Sequence, residues 1–164
     1  LTPVISVVGK SDMGKTTLLE RLIPELKSRG YRIAVIKHDA HSFEIDHPGK
    51  DTWRHAKAGA DVVVISSPAK VAMICKVKEE KKLDEVVAMI QDVDLIITEG
   101  YKRGNKPKIE VFRKAKGEKE LLCQPEELIA IASDTSFDIG VPVFSLDDVS
   151  GIALLIENKF LRKV

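Results

Sequence analysis

The stretch Val4-Ile5-Ser6-Val7-Val8-Gly9-Lys10-Ser11-Asp12-Met13-Gly14-Lys15-Thr16-Thr17 decides how the rest of the chain is read. Its opening run is short, mostly β-branched and stops at a glycine, which predicts a buried strand entering a turn. From Lys15 to about Arg29 the apolar residues Leu18, Leu19, Leu22, Ile23 and Leu26 recur at helical spacing, and Gly30 ends the pattern as a C-terminal cap would. Pro24 inside that run predicts a kink or a local break. Between strand and helix, Gly9 to Thr16 matches G-x-x-x-x-G-K-[ST] in the context that a phosphate loop requires. Glycine lets the backbone wrap closely around a polyphosphate with its amides inward, and the following helix adds the positive end of its dipole. Lys15 is placed to reach the β and γ phosphates and Thr16 to ligate Mg²⁺. The binding set read here is Gly9, Lys10, Ser11, Asp12, Met13, Gly14, Lys15, Thr16 and Thr17. Asp12 would repel phosphate if it faced inward, so it reads as a solvent-facing turn residue.

Working outward, Tyr31 to Lys37 and Leu95 to Thr98 read as further buried strands, and Leu128 to Ala132 with Val141 to Phe144 as two more. Asp61 to Ser66 and Val71 to Val77 flank Ser67-Pro68-Ala69-Lys70, a spacing that suits an antiparallel hairpin and makes the sheet mixed. Helices are predicted over Asp51 to Ala58, Leu83 to Ile90 and Val149 to Leu161, and a short strand over Ile109 to Phe112. The alternation implies one α/β domain spanning residues 1–164, its mainly parallel sheet covered by helices on both faces. Ligands of such sheets lie at the carboxyl ends of the strands.

That rule selects further residues. Glu99 ends the apolar run Leu95 to Thr98, so it is expected beside the phosphate loop, near Mg²⁺ and in a catalytic role with Lys15. The polar stretch His38 to Pro48 also leaves a strand end. Within it Asp39 is a metal candidate, holding Mg²⁺ through water, and Asp46 a catalytic candidate that orients an attacking water. His38, His41 and His47 lack a fixed ligand spacing. Asp134 follows the Leu128 to Ala132 strand and reads either as a base or ribose contact or as a turn cap. Lys37, Lys102, Arg103, Lys106 and Lys108 are read as a basic rim, and Lys114 to Glu120 as a solvated charge run.

Bulk properties narrow the class. A length of 164 residues fits one domain, and 44% hydrophobic with 31% charged residues is the mix of an ordinary globular chain. With 26 Lys and Arg against 25 Asp and Glu, the net charge of +1 gives no whole-protein field for nucleic acid or an anionic membrane. Neither a membrane-length apolar run nor a leader pattern is present, so a cytoplasmic protein is expected. Cys75 and Cys123 are isolated and read as reduced, mostly buried thiols.

The phosphate loop, Ile36-Lys37-His38-Asp39 running into Phe43-Glu44-Ile45-Asp46-His47-Pro48-Gly49-Lys50-Asp51-Thr52, and Glu99-Gly100-Tyr101-Lys102 with Pro107-Lys108-Ile109-Glu110-Val111 together resemble the molybdopterin-guanine dinucleotide biosynthesis protein B family, MobB. The resemblance spans nearly the whole chain. It implies a homodimeric, weakly hydrolysing GTP-binding protein that assists a MobA-type enzyme in attaching GMP to molybdopterin, with molybdopterin itself a second ligand. GTP over ATP rests on the resemblance, because no N-K-x-D stands in the chain. Three other readings stay open at this point: a metal-insertion GTPase carrying nickel or zinc on the histidine loop, a small-molecule kinase, and a scaffold that binds nucleotide only for stability.

Overall fold

Short β-branched runs become strands, and the helical repeat becomes the longest helix, in a computed structural model that describes Leu1–Asp39 and His41–Arg162. The elements are β1 (Val4–Val8), α1 (Lys15–Ser28), β2 (Ile33–Lys37), α2 (Asp51–Lys57), β3 (Val62–Ser67), β4 (Lys70–Cys75), α3 (Leu83–Val87), β5 (Leu95–Glu99), β6 (Lys108–Phe112), β7 (Leu128–Ser133), β8 (Val143–Ser145) and α4 (Val149–Ile156). The chain divides into two compact units: Leu1–His38 with the chain from Ile90 onward, and Asp39–Met89.

In the larger unit six strands pair in the order β2-β5-β1-β6-β7-β8, every pair parallel. Alternation along the strands sends Ile5, Val7, Leu95, Ile97, Ile109, Val111, Ala130 and Ala132 to one face, where they pack with Leu18, Leu22 and Leu26 of α1 and Ile152, Ala153 and Ile156 of α4. Leu22 and Leu26 are fully buried, each contributing roughly 1.5–3 kcal/mol relative to an exposed side chain. Both helices of this unit lie on that face. The opposite face over β6 and β7 holds Val8, Phe112, Leu128 and Ile131, packed against Leu121, Phe137, Ile139, Val141 and Val143. A register shift opposite Lys108 and Ile109 lets Leu128 and Ile131 share that second face.

Pro24 does not break α1. It sits on the exposed side, so the helix runs through it at the cost of one backbone hydrogen bond. The closing helix starts with Asp148 accepting from the Gly151 amide at 2.9 Å and changes to a π-helical turn over Glu157–Leu161.

In the smaller unit β3 and β4 form the expected antiparallel hairpin, but as a two-stranded sheet of their own and not as part of the parallel one. Helix α3 stops at Val87, short of the expected Ile90, because the chain turns at Ala88 and Met89 and Asp92 takes a φ of +56°. Cys75 is exposed at the end of β4, whereas Cys123 is buried, so the expectation of two mostly buried thiols holds for Cys123 alone. No helix among the described residues is long and apolar enough to cross a membrane.

Candidate functional site

β1 lies between β5 and β6, with Val7 opposite Glu99 on one side and Val8 opposite Glu110 on the other. The loop that leaves β1 therefore opens at the carboxyl ends of three central strands, where the sheet itself supplies its walls. Gly9 passes so near β6 that a Cβ there would stand 2.6 Å from the Val111 carbonyl oxygen. Gly14, at φ +94°, immediately precedes α1. With Asp12 at φ +60°, the loop takes the alternating backbone signs that turn successive amides toward an anion.

Its side chains converge as the pattern predicts. The Lys15 Nζ donates to the carbonyl oxygens of Gly9 at 3.2 Å and Lys10 at 2.8 Å, spanning the mouth of the loop. Burial pushes the Lys15 pKa below the ordinary lysine value. The neighbouring Glu99 and Asp12 carboxylates oppose that, and the charges of Lys102 and Lys37 add to it. Lys102 and Lys37 thus carry charge that acts on Lys15. The Thr16 hydroxyl donates to Glu99 Oε1 at 2.9 Å. Two hard oxygen donors at one strand end form a set that suits Mg²⁺, which favours carboxylate and hydroxyl oxygen. Asp12 and, on the first turn of α1, Thr17 are exposed.

Other residues lie elsewhere. Lys108 is 1% exposed and donates at 2.6 Å both to the Gly104 carbonyl and to Glu127, so it is no part of a surface rim. Strand alternation is the cause. Lys108, Glu110 and Phe112 point away from the α1 face, and Glu110 accepts the amides of Leu122 at 2.7 Å and Cys123 at 3.0 Å. Asp134 accepts from the Lys114 amide at 2.7 Å and the Ala115 amide at 3.0 Å, capping the turn after β6. The Ala115 bond foremost, with that of Lys114, holds its pKa below the usual carboxylate value. Asp39 and Asp46 belong to the smaller unit, where Asp39 accepts the His41 amide at 3.0 Å and Asp46 the His47 amide at 2.8 Å. The second oxygen of Asp46 is buried without a hydrogen-bond partner, a costly state in a carboxylate. No cluster of His, Cys, Asp and Glu suited to a metal ion forms among the described residues.

Two contacts escaped the sequence reading. Arg113 Nε donates to the Met13 carbonyl at 2.9 Å, and Lys10 pairs with Glu118 inside the run that reads as merely solvated. Arg113 directly follows the carboxyl end of β6, and asking what leaves each central strand would have found it.

Known proteins share this fold. Residues 4–134 match the MobB family, described as molybdopterin guanine dinucleotide synthesis protein B. The molybdopterin-guanine dinucleotide biosynthesis adapter protein of Escherichia coli (strain K12) is 37% identical over 158 residues, covering 93% of this chain and 90% of that protein. A crystal structure of molybdopterin-guanine biosynthesis protein B superposes with a TM-score of 0.73 at 36% identity, covering 94% of this chain and 98% of the other. The crystal structure of Bacillus subtilis MobB gives 0.75 at 25% identity, covering 94% and 96%. A family match over most of the sequence and a near full-length relative with the same phosphate-loop fold among solved members lead to one assignment: this chain belongs to the MobB family.

Proposed function

We propose that this chain is a Mg·GTP-binding accessory protein of molybdenum cofactor biosynthesis, which assists a MobA-type guanylyltransferase in joining GMP to molybdopterin. The observation that carries the reading is the Thr16 to Glu99 hydrogen bond of 2.9 Å at the open end of a Gly9 to Thr16 phosphate loop. Because the Thr16 hydroxyl gives its proton to Glu99, its lone pairs stay free for a cation. A bound Mg²⁺ would neutralise charge on the β and γ phosphates. Lys15 exchanges its contacts with the loop carbonyls for phosphate oxygens, and the loop amides hold the same anion. Glu99 is the residue assigned to slow hydrolysis. Asp134 stands at the carboxyl end of β7 and keeps lone pairs beyond its two backbone bonds for a guanine or ribose donor. The role in dinucleotide assembly is supported by the adapter function named for the relatives, and molybdopterin as a second ligand belongs to the same proposal.

A homodimer belongs to the same reading. Val62, Val64, Val71 and Met73 stand exposed on the hairpin and offer a second copy an apolar face. Val64→Lys is expected to convert a two-chain species to a single chain in sedimentation; a wild type that sediments as a monomer at high concentration removes the dimer.

Calorimetric titration of Mg·GTP and Mg·ATP, with phosphate release followed on the same samples, tests the nucleotide assignment. Selective GTP binding and slow release are expected, with affinity falling at least about tenfold in Lys15→Ala. Equal or better ATP binding overturns the choice of base and favours a kinase.

A further inference from the structure

We propose that Arg113 is a positioning residue of the phosphate loop, one that aims the Gly14 amide at the bound anion. The inference rests on the reading of Gly9 to Thr16 as a polyphosphate site and adds a residue outside that motif. Within a trans peptide unit the carbonyl and the next N–H point in opposite directions. The Met13 carbonyl accepts from Arg113 Nε at 2.9 Å, so the N–H of Gly14 is turned away from Arg113. The guanidinium also packs close against Gly14: a Cβ there would stand 3.0 Å from Nη2 and 3.3 Å from Nε. A planar donor held this close restricts rotation of the Met13–Gly14 peptide.

Arg113 is itself held. The turn that follows it, Lys114–Lys116, is capped by Asp134, which accepts the Lys114 and Ala115 amides. Glu118, farther along the same segment, pairs with Lys10 on the other limb of the loop. Order thus passes from β7 through Asp134 and the turn to Arg113, and from there to the Met13–Gly14 peptide. An amide aimed in advance spares the cost of reorganising the loop when phosphate arrives. The effect falls on the phosphates, whatever base they carry.

The test titrates Mg·GTP and inorganic pyrophosphate against wild type, Arg113→Met and Arg113→Lys, and follows the Gly14 amide by ¹H–¹⁵N NMR with no ligand added. Arg113→Met is expected to weaken both probes by about tenfold, near the worth of one well-aimed hydrogen bond, and to move the Gly14 resonance. Arg113→Lys, which keeps one donor for the carbonyl, is expected to bind both within about threefold of wild type. Unchanged affinities in Arg113→Met overturn the proposal. Should the methionine variant not fold, the lysine variant decides. A tenfold loss there with an unmoved Gly14 resonance means that the guanidinium touches the ligand directly, and it overturns the positioning role. A wild type that binds neither probe sinks the nucleotide reading itself.

Discussion

The two units of this chain treat their apolar side chains in opposite ways. In the larger, Ile5, Leu22, Leu26, Leu95, Ile97, Ile109, Ile131 and Ile152 are fully buried between a parallel sheet and its cover. In the smaller, Val63 is the one buried side chain among the described residues, while Phe43, Ile45, Ile65, Val71 and Met73 each leave more than half of their surface exposed. Strand propensity is similar in both, and β-branched residues fill β3 as they fill β1 and β5. The difference is partnership. A central parallel strand has neighbours on both edges and cover on both faces, whereas a two-stranded ribbon is marginal by itself. Stability therefore resides in the larger unit, and the smaller presents surface.

Three measurements can break or sharpen that contrast. Ile97→Ala should lower unfolding free energy by about 2–5 kcal/mol, whereas Met73→Ala at low protein concentration should stay within about 0.5 kcal/mol. Denaturant titration reads both, and equal losses would abolish the distinction. The cysteines give a second comparison, smaller in effect. Burial first, then the charges of Glu110 and Glu127, pushes the Cys123 thiol up to about 12, while Cys75 lies exposed on the hairpin. Alkylation of the native protein at neutral pH, followed by peptide mass, should label Cys75 at least about tenfold faster than Cys123. A Cys123 that reacts as fast would show that the larger unit opens readily.

The smallest effect concerns the phosphate loop. Burial lowers the Lys15 pKa, so the folded chain gives up this proton at a lower pH than the unfolded chain does. Phosphate prefers the ammonium form. Affinity for Mg·GTP should therefore be greatest below the lowered Lys15 pKa and fall as pH rises through it, before an ordinary lysine titrates. Bound nucleotide should raise that pKa, which the Lys15 side-chain NMR signal reports. A Lys15 that titrates as an ordinary lysine in the free protein contradicts the burial account.

Much of the larger unit was legible because its signals are local. The β-branched run before Gly9, the Leu spacing after Lys15 and the acid that ends Leu95 to Thr98 each name an element or a strand end without knowledge of pairing. Hairpin turn and strands were legible too, though nothing in Asp61 to Val77 says which sheet they join. That depends on partners distant in sequence. Lys108 was misplaced by composition: a lysine suggests surface, yet in Lys108-Ile109-Glu110-Val111-Phe112 it shares a face with Glu110 and Phe112, and Glu127 compensates its charge. The signal was present in the alternation. For Arg113, Glu118 and the turn capped by Asp134 the motif is silent, because they act on the loop from a neighbouring strand.

The place of β1 in the sheet has a consequence for synthesis. The hydroxyls of Ser6 and Thr98, 92 residues apart, share a buried hydrogen bond of 2.8 Å, and β1 is flanked by β5 and β6. The loop after β1 is synthesised before its walls, which emerge only with Glu99 and Phe112. A nucleotide held by that loop would therefore lack its full site while β1 stands alone. A bound nucleotide would stabilise the chain only after the sheet has closed around β1, acting as a late check on the fold and not as its seed.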